Sequence, residues 1–295
     1  LRPTEQALFR EQFDVVVGTL QRGATEVTWL SHNARDFVHI AYGLVVRGLS
    51  HKVEIIADSN ASIDRVIGRW VTATSIMPSF DDSTQAIVMP QLEHVFQSRM
   101  AQYEKSISES DDEIHRLINY IFDEAFASKH SPAWRDFVAD VDARIERGAR
   151  EATMHLLQHF AKATVEASSP VLEVIVELLA SEVVAYPPLD ELAHRKGVPE
   201  YVALWCDEMA SIGSLLHRVS DTAVTFEHVK EDEAIVSTMA DIISKVSQVC
   251  LQCADVLKEV GQFDFLVVDD IDVTFAAYEE SKLLPALVSG TSAST

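Results

Sequence analysis

Ser131-Pro132-Ala133-Trp134-Arg135-Asp136-Phe137-Val138-Ala139-Asp140-Val141-Asp142-Ala143-Arg144-Ile145 is the stretch that decides the fold class. Trp134, Phe137, Val141 and Ile145 recur every three or four residues, and Leu156 extends the same face. An α-helix completes a turn in 3.6 residues, so this spacing predicts a long amphipathic helix. Pro132 suits its start, because the first N–H groups of a helix have no intrahelical partner to lose.

The helical period recurs on both sides. Residues 4–20 read as a helix entering a turn at Gly23. From Ser31 to about Thr74, the residues Phe37, Ile40, Ala41, Leu44 and Val45 form one stripe. Gly48-Leu49-Ser50 is a candidate interruption, after which Ile55, Ile56, Ile63, Val66, Ile67 and Trp70 continue the apolar face. Met77-Pro78-Ser79-Phe80-Asp81-Asp82-Ser83 predicts a turn whose Asp and Ser residues cap the next helix. Helices are expected over about 90–105 and 111–128. The second opens with Ser110-Asp111-Asp112-Glu113, where acids favour the positive end of the helix dipole.

The pattern changes at Ser168-Ser169-Pro170. Residues 171–179 and 182–186 are rich in β-branched side chains, and Pro187-Pro188 closes the second run. They read as two short strands, with a buried helix as the competing reading. Further helices are expected over about 199–221, 231–261 and 272–287. The fold class is therefore mainly α: elongated multi-helix bundles, with a candidate short β-hairpin near 171–186. The expected division is a helical bundle over 1–130, a connecting long helix over 131–169, an extended segment over 170–190, a second helical bundle over 191–288 and a flexible tail over 289–295.

Composition narrows the function. Hydrophobic residues make up 47% of the 295, enough for a real core, and only 10 Gly and 9 Pro argue against an all-β chain. The formal charge of -22, from 46 acids and 24 bases, opposes the phosphate neutralisation that nucleic-acid binding needs. It equally opposes docking on anionic lipid. No uninterrupted apolar run reaches the roughly 18 residues that cross a bilayer. The opening Leu1-Arg2-Pro3-Thr4 has neither a Met nor an apolar signal core, so we expect a piece of a longer chain. Cys206, Cys250 and Cys253 do not make a secreted disulfide framework, which fits an intracellular, reducing compartment.

Candidate chemistry is thin. Cys250 and Cys253 have C-x-x-C spacing, but zinc takes four ligands and Cys206 is the one thiol left; in a helical pattern such thiols are core residues. His155 and His159 lie one turn apart with Glu151 a turn earlier, yet Leu156 stands where a metalloprotease helix carries Glu. Phe265-Leu266-Val267-Val268-Asp269-Asp270 has the form of a Walker B strand without any G-x-x-x-x-G-K-[ST] loop to accompany it. Asp269-Asp270-Ile271-Asp272, with Asp81-Asp82 and Asp111-Asp112, could supply carboxylates to magnesium in an all-helical diphosphate enzyme. Capping or solvated acids are the simpler reading. No G-x-S-x-G elbow or other nucleophile–base set appears, so no catalytic, cofactor-binding or metal residue is assigned.

Five stretches, in order, resemble the heavy-chain tail of dynein motors. Gly23-Ala24-Thr25-Glu26-Val27-Thr28-Trp29-Leu30-Ser31-His32-Asn33, running on to Phe37, is similar to the family's glycine, hydrophobic-Thr-Trp-x-Ser-x-Asn and following Phe. Downstream, Ile76-Met77-Pro78 fits a proline-ended segment, and Ile114-His115-Arg116-Leu117-Ile118-Asn119-Tyr120-Ile121-Phe122-Asp123-Glu124-Ala125 resembles a bundle-opening helix. The Val-rich run from Pro170 to Leu192 resembles the extended segment ahead of the linker, although no Ser separates Pro188 from Leu189. Phe226-Glu227-His228-Val229-Lys230-Glu231-Asp232-Glu233-Ala234-Ile235-Val236 resembles a helix entry in which an aromatic and a valine precede an acidic cap. Phe265 or Leu266 stands where the family often has Trp. The motifs are closer in style to axonemal than to cytoplasmic heavy chains.

The resemblance implies a force-transmitting helical scaffold leading toward the linker of a microtubule motor in a ciliary or flagellar axoneme. This segment would not be an enzyme; the parent chain would be an ATPase, with ATP and magnesium bound outside these residues. It implies heavy, intermediate and light chains and axonemal docking or regulatory proteins as partners, and microtubules through the rest of the motor. Nucleic acid and membrane are not expected partners, and the expected location is the cytoskeleton of the cytoplasm. Trp29, Phe37, Trp70, Trp134 and Trp205 are expected as core anchors. Because burying one such aromatic stabilises by roughly 1.5–3 kcal/mol, Trp29→Ala should lower the thermal midpoint. The alternatives are an unrelated all-helical adaptor or tethering scaffold and, behind it, the magnesium-dependent diphosphate enzyme.

Overall fold

The computed structural model describes residues 1–26, 32–72, 89–125, 127–165, 175–179, 182–186, 198–220 and 225–261. In order these form α1 (Pro3–Glu26), α2 (His32–Tyr42), a π-helical segment (Gly43–Leu49), α3 (Ser50–Thr72), α4 (Met89–Glu124), α5 (Pro132–Val165), β1 (Ile175–Leu179), β2 (Glu182–Tyr186), α6 (Val198–Ala210), two 3-10 turns (Ser211–Leu215 and Glu227–Glu231) and α7 (Glu233–Gly261). The fold is mainly α, as the spacing predicts. Trp29, the Pro78 turn, Pro187-Pro188, Phe265 and everything after Gly261 lie outside the described residues.

Two compact units emerge. The first gathers Leu1–Ser79, His94–Lys162 and Trp205–Met239; the second gathers Phe80–Glu93, Ala163–Leu204 and Ala240–Thr295. The core of the first is built by stripes. α3 buries Ile56, Ile63, Val66, Ile67 and Trp70, while α5 buries Trp134, Phe137, Val141, Ile145, Ala149, Ala152, Leu156 and Phe160. Three of the four expected tryptophan anchors, Trp70, Trp134 and Trp205, are buried. Trp134 meets Phe122 edge-on at 4.9 Å and stacks on Phe137 at 5.7 Å; Phe160 meets Trp205 edge-on at 6.0 Å. Such pairs add to plain area burial because ring edges and faces carry opposite partial charge.

Four local expectations change. α1 stays helical through Gly23 to Glu26, where a turn was expected. The helix expected over about 199–221 ends at Ala210, and a 3-10 turn and non-helical chain follow to Ser220. α4 is one continuous helix of 36 residues, where two helices were expected. Its buried stripe, Met100, Tyr103, Ile107, Ile114, Ile118 and Ile121, keeps three-to-four spacing straight through Ser110 and Asp111. These two residues occupy core-facing positions of an ongoing helix rather than a cap. The C-terminal carbonyls of α4 are satisfied from outside: Lys52 Nζ donates to Glu124 O, and Gln12 Nε2 donates to Ala125 O.

The stripe through α2 also departs from expectation. Phe37 and Ala41 are half-buried, but Ile40, Leu44 and Val45 are exposed. The interruption foreseen near Gly48 is real as geometry: the backbone widens to π-helix over Gly43–Leu49 and returns to α at Ser50 without stopping. Glycine at 43 and 48 weakens the α register there.

Close packing explains two glycines. A Cβ on Gly148 would stand 2.2 Å from Ile67 Cγ2, so α5 approaches α3 where no larger residue fits. A Cβ on Gly213 would lie 2.1 Å from the Phe226 carbonyl oxygen, which lets the two 3-10 turns lie against each other.

In the second unit β1 and β2 pair antiparallel, from Ile175 opposite Tyr186 to Leu179 opposite Glu182. Within α7, Ile242, Val246 and Cys250 are buried at four-residue spacing. By length and composition Glu233–Val256 reaches the range of a membrane-crossing helix, with mean hydropathy 1.3. Spanning would bring Asp241 and Lys245 toward the hydrocarbon, at about 2.5–3.5 kcal/mol for a charge at the centre. The charges argue against that use.

Candidate functional site

The polar groups of the first unit converge where α4 and α5 meet the irregular chain after α6. Asp111 and Asp142 are each only 5% exposed. Asp111 Oδ1 accepts the backbone N–H of His217 at 3.3 Å, and its Oδ2 lies 2.8 Å from His217 Nδ1, which donates in the Nδ1–H tautomer. Asp142 accepts the next available amides, Val219 N–H at 2.7 Å and Ser220 N–H at 3.2 Å. Two buried carboxylates on neighbouring core helices thus hold three consecutive-region amides of a segment with no helix to satisfy them. The segment folds back through an antiparallel bridge between His217 and Thr225. Leu216, Phe226 and Val229 are fully buried beside it, and the Arg218 guanidinium lies 5.0 Å over the Phe226 ring.

The next turns of α5 continue the clamp. Arg150 donates to Glu146 at 2.9 Å and to Asp232 at 3.0 Å, while His228 Nε2 lies 2.8 Å from Glu146. Asp232 also caps α7, accepting Ala234 N–H at 3.0 Å and Ile235 N–H at 3.4 Å. This is the aromatic, valine and acidic cap order read from Phe226, Val229 and the acids after it. One carboxylate therefore starts a helix and ties it to α5.

A third cluster joins α1, α3 and α5. Arg144 donates to Asp64 at 2.8 Å and to Asn60 at 2.6 Å, and pairs with Asp140 at 3.2 Å. Asn60 in turn donates to Glu5, whose other oxygen accepts the Arg2 amide at 2.8 Å. Burial pulls the Arg144 pKa below its ordinary value, against the hydrogen bond from Asp64, which raises it. Burial also pushes the Cys206 thiol up to about 12, with Asp207 adding in the same direction. Such a thiol is protonated and unreactive at neutral pH. The Tyr103 hydroxyl is likewise raised by burial. Glu208 is raised first by partial burial and then by the charge of Glu104.

The positions considered for metal chemistry are dispersed. Glu151 and His155 are exposed and His159 half-buried. Among the described residues no three His, Cys, Asp or Glu side chains are placed to hold a metal ion. His155 instead lines an open groove of about 380 Å³ with Val71, Arg150, Met154, Asp232 and Ile235. Cys206 and Cys250 are buried, and the Cys253 side chain is outside the described set. Asp81-Asp82 and Asp269-Asp270-Ile271-Asp272 are outside it too. Asp111 is neither a cap nor a solvated acid; its oxygens are committed to His217.

Sequence reading missed the clamp. Its one legible signal was a polar pair, Ser110-Asp111, at the stripe position between Ile107 and Ile114. The Ser-Asp-Asp-Glu string imitates a helix start so well that it hid this reading.

The described geometry belongs to a class of helical packing modules, in which buried carboxylates pin irregular chain between long helices. No family model matches the chain. Over 285 residues, 93% of the chain, it is 22% identical to the dynein beta chain of the flagellar outer arm of Chlamydomonas reinhardtii. The chain spans about 6% of that protein's length.

Proposed function

We propose that this chain is a segment of a dynein heavy-chain tail, a helical scaffold that transmits load toward the linker of an axonemal motor. The observation that carries the reading is the near end-to-end similarity to a flagellar outer-arm dynein beta chain. It agrees with the ordered motifs from Gly23 to Val236. The local geometry suits a mechanical part: helices of 36 and 34 residues, with ion pairs and buried carboxylates tying them to the chain that follows. Load along such helices is borne by many i→i+4 hydrogen bonds and by side-chain seams, and needs no reactive group.

Within this reading the nucleotide chemistry sits elsewhere in a longer polypeptide, and the partners are other dynein subunits and axonemal docking proteins. The test is the coding sequence beyond Thr295. A tail segment requires the frame to continue through a linker into P-loop ATPase modules. A transcript that stops shortly after Thr295 would leave the adaptor reading in its place.

A further inference from the structure

Among the described residues of the first unit, the largest run of exposed apolar side chains lies on α2 and the π segment. Val38 and Ile40 are each 59% exposed, Tyr42 58% and Val46 42%, with Leu44 and Val45 also exposed. Isolated exposed hydrophobics are ordinary, but six within nine residues, with Val38, Tyr42, Val45 and Val46 on one side of the helix by their spacing, are not. The π geometry falls on this run, and such widened turns gather at functional sites. A Cβ on Gly43 would meet nothing within 4 Å, so the backbone there is open to an approaching partner.

Charge sets what can cover the face. In a chain of net charge -22, no acidic residue occurs between Asp36 and Glu54. Arg35 and Arg47, one at each end of the apolar run, are exposed and form no ion pair with any described residue. His39 and His51 lie on the same stretch and are exposed as well. The face is thus apolar along its length and basic at its Arg47 end, while Arg35 at the other end stands beside the exposed Asp36, on an otherwise strongly acidic chain.

We infer that α2 and the π segment form a docking face for an acidic amphipathic helix from outside these 295 residues. Aliphatic residues of the partner would seat against Val38, Tyr42, Val45 and Val46, near Gly43, and its acids would pair with Arg35 and Arg47. The mode is helix-on-helix packing with electrostatic selection of the partner. An anionic membrane is disfavoured, since lipid-binding segments gather about 4–8 Lys or Arg residues and this face offers two arginines. A symmetric dimer through the face would set basic ends against each other. This inference does not depend on the dynein reading.

Fluorescence anisotropy with the 295-residue chain and two synthetic helical peptides tests it. One peptide carries a Leu/Ile seam flanked by Glu; the other has every Glu replaced by Lys. The acidic peptide should bind saturably and at least about tenfold more tightly than the basic one. Tyr42→Asp and Val46→Asp should abolish binding with the thermal midpoint unchanged, and the double variant Arg35→Glu, Arg47→Glu should reverse the peptide ranking. Equal binding of both peptides, or acidic-peptide binding that survives Tyr42→Asp, overturns the proposal. So does self-association of the chain that Tyr42→Asp removes, or binding to phosphatidylserine vesicles without binding to the acidic peptide.

Discussion

Asp142 accepts the backbone N–H groups of Val219 and Ser220 in a part-buried setting, so its removal takes a carboxylate partner from both. Replacing it by Asn keeps the shape but turns an amide NH2 toward one of the donors. A hydrogen bond to a charged group contributes about 1.5–3 kcal/mol, and urea unfolding of Asp142→Asn should show a loss of that size. A midpoint equal to wild type would show that water replaces the carboxylate. Cys206 supports a pH prediction. Its folded pKa of about 12 exceeds an unfolded value near 8.5, so the unfolded chain sheds the proton first as pH rises. Its contribution to stability is complete below the unfolded pKa and is lost progressively as pH climbs toward the folded one. Cys206→Ala should therefore flatten the alkaline loss of stability. An unchanged alkaline slope would place the titrating groups elsewhere. The Cys206 burial fits the ordinary tendency of thiols, but that of Asp142 could not be read from composition, because Asp is ordinarily exposed and is buried only where a partner is placed against it.

At the scale of elements, the α3–α5 crossing turns on Gly148. Gly148→Ala forces its new methyl into Ile67 and should cost about 1–3 kcal/mol as overpacking. Ile67→Ala alone empties core volume, at about 2–5 kcal/mol. Combined, the two should lose less than their sum, since the added methyl occupies space that the isoleucine vacated. Strict additivity in the double-mutant cycle would mean that the helices separate instead of sharing that space. Element starts and faces were largely legible. Ser131 caps α5 through Trp134 N–H at 3.4 Å, and Asp232 caps α7, both at the places their residue types advertise. Gly23 and Phe37, two landmarks of the first motif, meet in space: a Cβ on Gly23 would lie 3.0 Å from the Phe37 ring. The misread boundary at Ser110 has a physical origin. A capping string and a buried polar position in a continuing helix use the same residues, and only the partner at His217 separates them.

For the whole molecule the dominant quantity is charge. A formal charge of -22 makes the folded chain repel itself, and salt shortens the range of that repulsion from about 10 Å at 0.1 M to about 3 Å at 1 M. The thermal midpoint should rise as sodium chloride increases. A falling midpoint would show that ion pairs such as Arg150 with Asp232 outweigh the general repulsion. The same charge makes the acid-free stretch of residues 37–53 a place where an acidic partner meets less local repulsion.

The mainly helical class, the stripes of α3 and α5, the tryptophan anchors of the described residues and the acidic cap before α7 were determined by the sequence alone. Each follows from a 3.6-residue period or from a local cap, and both are properties of a chain with its nearest neighbours. Only the tertiary structure decided that Asp111 and Asp142 hold the chain after α6, that Gly148 admits Ile67, and that the α2 stripe splits into a packed side and an open one. Those outcomes depend on which helix lies opposite, at separations of up to 106 residues in the case of Asp111 and His217. A periodic pattern says that a face is apolar; it does not say what covers it.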